Sequence, residues 1–237
     1  MKVSNEGIYF LACHEGVVPG PYLDSVGVWT YGVGHAETSG LDPNPRTMPR
    51  GMPADMDAEL RKVFALFAKD VEIYAAAVRR AVKVPMAQHE FDAAVSFHFN
   101  TGAIGKATWV KKWNSGDKKE ARRQMMNWKK PASIIPRRQA ERDLWADGNY
   151  GAKKVNVWGV SDAGKVQWGR PVQSLTKAQV LALMDTPNTV AQRPKPRPVA
   201  PTPPAAPTYP PAGRSGGVFA TLGAFLRSIS KWKGGDA

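Results

Sequence analysis

Three residues near the N-terminus have the types and spacing for acid–base chemistry: Glu15, Asp24 and Thr30. The segment from Ser4 to Glu15 reads as a short helix stopped by Gly16. A carboxyl group in that last turn faces the negative end of the helix dipole, which favours the protonated form a general acid needs. Asp24 follows nine positions later in YLDSVG, a polar strand-and-turn setting that suits a charged carboxylate. Residues Pro21 to Val33 are rich in Tyr, Val, Trp and Gly, which predicts a small antiparallel sheet turning near Gly27. In such a hairpin Asp24 and Thr30 have the same parity, so their side chains share a face. A proton donor paired with a charged carboxylate is what glycoside hydrolysis requires. The acid protonates the glycosidic oxygen, and the carboxylate stabilises the oxocarbenium-like transition state or activates water. Spacing alone does not single this pair out, because acidic residues at such intervals are common on solvated surfaces.

The elements around these residues are mostly helical. From Asp55 to Ala81, the residues Leu60, Val63, Phe64, Phe67, Val71, Tyr74 and Val78 form one apolar stripe on a long helix. Gln88 to Phe99 is apolar almost all round, as a buried central helix is, and Asn100 with Gly102 ends it. Shorter helices are predicted around Ile104–Trp113, Lys118–Trp128 and Arg137–Ala146. The stretch VNVWGVSDAGKVQWGRP alternates and turns at Asp162–Gly164, which reads as a β-hairpin over 155–170. A final helix, Thr176–Met184, opens on a capping-box pattern from Thr176 to Gln179.

The 237 residues carry 33 Lys and Arg against 20 Asp and Glu, a net charge of +13. That excess falls in two places. Residues 1–185 hold a net +7 and residues 186–237 a net +6. Ten of the 20 prolines lie between Pro187 and Pro211, so 186–212 reads as an extended spacer between a catalytic domain at 1–185 and a separate C-terminal element. In that element, 213–237, the residues Val218, Phe219, Leu222, Phe225, Leu226, Ile229 and Trp232 recur at helical spacing beside Arg227, Lys231 and Lys233. This is a short amphipathic helix with a basic end. A single cysteine, Cys13, excludes an intramolecular disulfide. No apolar run approaches the roughly 18 residues of a membrane span, and the N-terminus makes a poor secretory signal.

The residues around the acidic pair form a longer motif. HEGVVPGPYLDSVGVWTYGVGH resembles the signature of phage-type lysozymes, glycoside hydrolase family 24, with Glu15, Gly16, Tyr22, Asp24, Gly27, Thr30, Gly32, Gly34 and His35 at the defining positions. Three further blocks match in order: ETSGLDPNPRTMP, AQHEFDAAVSFHFNTGAIG and IIPRRQAERDLWADG. The resemblance covers roughly residues 4–150. It implies a lysozyme-like α+β fold, mostly helical, with a small antiparallel sheet lobe and a helical lobe flanking a cleft. It also implies a muramidase that cuts the β-1,4 bond between N-acetylmuramic acid and N-acetylglucosamine in peptidoglycan. Glu15 would be the general acid, Asp24 the carboxylate that positions or activates water, and Thr30 the residue that holds that water or the aspartate. No cofactor or metal is expected. The chain would act as a monomer, made in the cytoplasm of the producing bacterium and released to the wall, as endolysins are.

Other residues carry two readings each. His35 either lines the cleft or fixes the base of the hairpin. Asn100 and Thr101 either reach the sugar or cap the central helix. Arg137 and Arg138 either grip lactyl or peptide carboxylates of the wall or belong to an ion-pair network. For Arg142 the structural role is favoured. Cys13 reads as a small buried hydrophobe rather than a nucleophile. Residues 103–142 hold 12 basic and 3 acidic side chains interleaved with Trp109, Trp113 and Trp128. The tryptophans fall at helical spacing and so belong to the core. The basic face then serves attraction to the anionic wall rather than nucleic-acid binding. The Trp158–Trp168 hairpin reads as a cap on the helical lobe, with a substrate-side accessory as the other possibility. The C-terminal helix reads as an anchor for anionic membrane or lipopolysaccharide. Two other functions fit the residues: a non-enzymatic membrane-active or wall-binding lysis protein, and a lytic transglycosylase using Glu15.

Overall fold

The computed structural model describes residues 1–185. The spacer expected at 186–212 and the amphipathic helix expected at 213–237 lie outside the described residues. The first helix, α1 (Asn5–Glu15), begins at Ser4, whose hydroxyl accepts a hydrogen bond from the Gly7 amide at 2.9 Å and donates one to Asp92 at 2.5 Å. The same Asp92 carboxylate accepts from the Tyr150 hydroxyl at 2.7 Å. The helix stops at Gly16, whose φ of 77° a side-chain-bearing residue rarely adopts.

Three short strands follow: β1 (Val18–Leu23), β2 (Trp29–Gly32) and β3 (His35–Ala36). They form an antiparallel sheet in the order β1-β2-β3, with Tyr22 opposite Thr30 and Leu23 opposite Trp29. The long helix α2 (Met56–Ala81) is capped by Asp55, which accepts from the Ala58 amide at 2.9 Å. Its buried residues include the whole stripe from Leu60 to Val78. The helix α3 (Gln88–Thr101) has every residue from Glu90 to Phe99 buried, because neighbours surround it: it packs on α2, on α1 and on a later helix, α6.

Between and beyond these lie α4 (Thr108–Asn114), α5 (Lys118–Met125) and α6 (Ile135–Asp147). Trp109 and Trp113 stack with ring centroids 5.9 Å apart, and Trp145 meets Trp113 edge-on at 5.3 Å. All three are buried and Trp128 is half-buried against the core, whereas Lys111, Lys112, Lys118, Lys119, Arg122, Arg123, Lys129 and Lys130 are exposed. The charge stands on the outside alone.

The C-terminal part of the described chain holds β4 (Val155–Val157), β5 (Gly159–Val160), β6 (Val166–Gln167), β7 (Gln173–Leu175) and α7 (Lys177–Asp185). The single hairpin expected over 155–170 is instead two nested pairings. β5 pairs with β6 around the turn at Asp162–Gly164, and β4 pairs with β7 farther along the chain. Its placement also differs from the expected cap on the helical lobe. β5 and β6 lie against β1, while Val155, Val157 and Leu175 enter the main core. Trp158 donates its amide to the Val17 carbonyl at 2.8 Å, and Val17 donates to the Asn156 carbonyl at 2.9 Å. Unsatisfied backbone at the edge of β1 is what this segment pairs with. Thr176 and Gln179 form the predicted cap at the start of α7. No helix among the described residues is long and apolar enough to cross a membrane.

Candidate active site

Glu15 is the last residue of α1 and is 3% exposed. Its carboxylate does not meet the helix end alone. The guanidinium of Arg137, 122 residues away on α6, donates to Oε1 of Glu15. Arg137 in turn donates through Nε to Glu141 at 2.9 Å. Glu141 also accepts from Arg138 and, at 2.7 Å, from the Ser96 hydroxyl on α3. Arg138 reaches Asn100 at 2.6 Å and the Trp128 carbonyl at 3.0 Å. One buried chain of charge thus runs from Glu15 to the end of α3. It fixes the orientation of the Glu15 carboxyl group.

Asp24 sits at the start of the turn between β1 and β2. Its Oδ1 accepts from the amides of Val26 and Val28, both at 2.9 Å, and its own amide donates to the Val28 carbonyl at 3.0 Å. Gly27, at φ 80°, supplies the left-handed residue this turn needs. The carboxylate is therefore held by the turn it organises. Thr30 is buried on β2 and donates its hydroxyl to the Val28 carbonyl at 3.2 Å.

Tyr22 is a further buried residue of this hairpin. It lies two residues before Asp24 and directly opposite Thr30, so Tyr22 and Thr30 share one face of the sheet. Burial, at 1% exposure, pushes its phenol well above the ordinary value, and the charges of Asp24 and Glu15 push the same way. Both carboxylates are thus within electrostatic reach of one neutral hydroxyl. Sequence reasoning noted Tyr22 in the motif and gave it no role. Its parity with Asp24 was the available signal.

The five residues expected to bind substrate each make contacts within the protein. His35 is buried, and both ring nitrogens are engaged. Nδ1 meets Asp70 at 2.8 Å, and Nε2 faces the carbonyls of Pro43 at 3.0 Å and Leu41 at 3.3 Å. It ties the loop after β3 to α2 rather than lining a sugar site. Thr101 spends its hydroxyl on the Phe97 carbonyl at 2.7 Å and the Ala103 amide at 3.2 Å, which is a helix end cap. Arg138, 1% exposed, is sealed from any wall carboxylate. Arg137 belongs to the site as the partner of Glu15 and not as a clamp on substrate. Asn100 is half-buried with its carbonyl oxygen held by Arg138. Arg142, for which a structural role was favoured, is the more exposed arginine of α6 and pairs with neighbouring Asp143. The i,i+3 and i,i+4 spacing of Arg138 and Arg137 to Glu141 was the sequence signal for the network. Cys13 donates weakly to the Lys153 carbonyl at 3.4 Å, and burial pushes its thiol up to about 11, which keeps it from acting as a nucleophile.

The His35–Asp70 contact has a pH signature. Burial pulls the imidazole down, but the Asp70 carboxylate and the two carbonyls outweigh it, so the net shift is upward from 6.5. A raised folded value means the contact contributes fully below the unfolded value and is lost as pH rises through the folded one. Asp70→Asn is therefore expected to cost about 3 kcal/mol near pH 5 and markedly less near pH 9. Urea melts at the two pH values read the difference. An equal loss at both would show that the contact is not ionic.

A cavity of about 520 Å³ lies on the other side of β2, lined by Tyr31, Glu59, Lys62, Arg50 and prolines of β1. It contains none of Glu15, Asp24 and Thr30. The carboxylates define the candidate site because reaction chemistry needs them, whatever the volume elsewhere.

Residues 12–141 match the phage lysozyme family. The endolysin of Salmonella phage P22 is 32% identical over 151 residues, spanning 61% of this chain and 98% of that protein. The SAR-endolysin of Escherichia phage Mu is 34% identical over 139 residues, spanning 55% of this chain and 73% of that one. Among solved structures, the endolysin of Escherichia coli O157:H7 phage FAHEc1 superposes with a TM-score of 0.53 at 31% identity, over 64% of this chain and 97% of that one. A P22 lysozyme mutant gives the same TM-score at 32% identity, over 61% of this chain and 98% of its own. The family match takes in Glu15 at the end of α1, the hairpin with Asp24 and Thr30, and the buried α6 network: this chain belongs to the phage lysozyme family.

Proposed function

We propose that this protein is a muramidase that hydrolyses the β-1,4 bond between N-acetylmuramic acid and N-acetylglucosamine in peptidoglycan. The observation that carries this reading is buried Glu15, held by Arg137 at the end of α1, followed on the adjoining hairpin by turn-held Asp24 and buried Thr30. Protonated Glu15 gives its proton to the glycosidic oxygen. Arg137 holds Oε1 and fixes the plane of the group while it does so. Asp24, with one oxygen pinned by two amides, faces the charge that develops at the anomeric carbon or takes a proton from the attacking water. Thr30 sits beside it to orient that water. The exposed basic side chains of α4 and α5 draw the protein to an anionic wall in a salt-sensitive manner.

In this reading residues 1–185 form the catalytic domain, 186–212 are a spacer, and 213–237 engage anionic membrane or lipopolysaccharide. The protein works as a monomer, made in the cytoplasm and released to the wall at lysis. Mass spectrometry of digested sacculi tests the activity, bond and reaction type together. The expected products carry a reducing N-acetylmuramic acid that has gained one water. Products one water lighter, with a 1,6-anhydro sugar, would assign a lytic transglycosylase instead. Removal of 213–237 is expected to leave hydrolysis of purified sacculi intact.

A further inference from the structure

The segment 155–175 lies beyond the family match and brings two tryptophans to the catalytic sheet. Trp158 and Trp168 meet edge to face, with centroids 5.4 Å apart and planes at 60°. Both are half-buried. They pack against a small cluster of Val18, Tyr22 and Val160, separate from the main core. Tyr22 lies on β1, two residues before Asp24. Trp158 also lies close over Gly16, the residue after Glu15: a Cβ added at Gly16 would stand 2.8 Å from Nε1 of the indole.

This position is fixed rather than incidental. The parallel pairing of Val17 with Val157 and the bond from the Leu23 amide to the Gly164 carbonyl, at 2.9 Å, hold the segment along the length of β1. A core role alone would hide both rings, as it hides Trp109 and Trp113. Here the pair is kept partly in solvent beside the reacting groups, where apolar surface is costly unless it is used. Indole faces present a broad apolar surface that matches the C–H face of a pyranose ring.

Resting on the muramidase reading, we propose that Trp158 and Trp168 form an additional sugar-binding subsite, which takes a pyranose of the glycan strand beyond the bond that Glu15 and Asp24 cleave. Substrate grip, not chemistry, is their contribution.

The test uses the full chain and glycan strands stripped of their stem peptides. Binding is measured in a Glu15→Gln background, and cleavage is measured separately with the unaltered protein. Trp168→Leu keeps apolar packing on Val18 and Tyr22 but removes the flat ring, so it is expected to weaken binding about tenfold. Trp168→Tyr restores the face and is expected to restore binding. Trp158→Leu is measured alongside and should weaken binding similarly, with circular dichroism confirming that each variant is folded. Equal binding by the parent and both leucine variants, or no binding by Glu15→Gln at all, would overturn the subsite. Failure of the unaltered protein to cleave strands that it binds would overturn the muramidase reading and leave the subsite standing.

Discussion

Glu15→Gln is expected to lower the rate of peptidoglycan hydrolysis by about 10³-fold, within the range for loss of a positioned general acid. The substitution removes the proton donor and, with it, the negative charge paired with Arg137. The glutamine carbonyl oxygen still accepts from Arg137, so the carboxamide occupies the place of the carboxyl group. A loss of this size corresponds to about 4 kcal/mol of transition-state stabilisation. Turbidity clearance of sacculi, corrected for the folded fraction by circular dichroism, measures it. Hydrolysis at the unaltered rate would remove Glu15 from the mechanism. Asp24→Asn is the informative companion. Its amide oxygen can still accept from Val26 and Val28, so the turn persists while the negative charge is gone.

The largest effect on stability is expected from Glu141→Leu, at about 3–5 kcal/mol. Glu141 is fully buried and is the shared anion for Arg137 and Arg138. Its removal leaves two guanidinium groups in the interior with one anion, Glu15, between them. Burying an uncompensated charge costs more than the intact pair ever contributed. For a folded domain of this length the melting temperature should fall by about 10 °C. The double variant Arg138→Met with Glu141→Leu is expected to recover part of the loss, because it removes a stranded cation together with its partner. Thermal denaturation of the two variants decides it. A single variant as stable as the parent would show that water reaches this network.

The network also explains how the acid is placed. A carboxyl group at a helix end has rotameric freedom. Pinning one oxygen to Arg137 removes it at the cost of a buried cation, which Glu141 and the Ser96 carbonyl then satisfy. Asp24 is handled differently: its turn closes on its own side chain, so local backbone does for Asp24 what a distant helix does for Glu15.

How much of this was legible in the sequence depends on the range of each interaction. Ser4 and Thr176 as helix starts, Gly16 as a stop, the α2 stripe and the Asp24–Thr30 parity rest on contacts between near neighbours, and all were readable. Arg137 and Arg138 beside Glu141 were readable as a spacing, but their burial was not. An exposed i,i+4 pair and a buried one look alike in a string of letters. The same ambiguity put His35 and Thr101 among substrate-binding candidates, when Asp70 and the end of α3 already engage them.

The hairpin shows the limit most clearly. Alternation announced strands at 155–170, yet two-residue strands carry too little pattern to choose a partner, and Val157 pairs beside Val17 across most of the chain. By itself the sequence pointed to the candidate groups, the helix and hairpin that carry them and the family, because these follow from residue types at short, fixed spacings. Only the tertiary structure decided that Arg137 meets Glu15, that Tyr22 is buried beside Val18 and Val160, and that Trp158 and Trp168 pack against that cluster. Such contacts depend on which buried surfaces and unpaired backbone edges meet when the whole chain packs, and no local spacing records that.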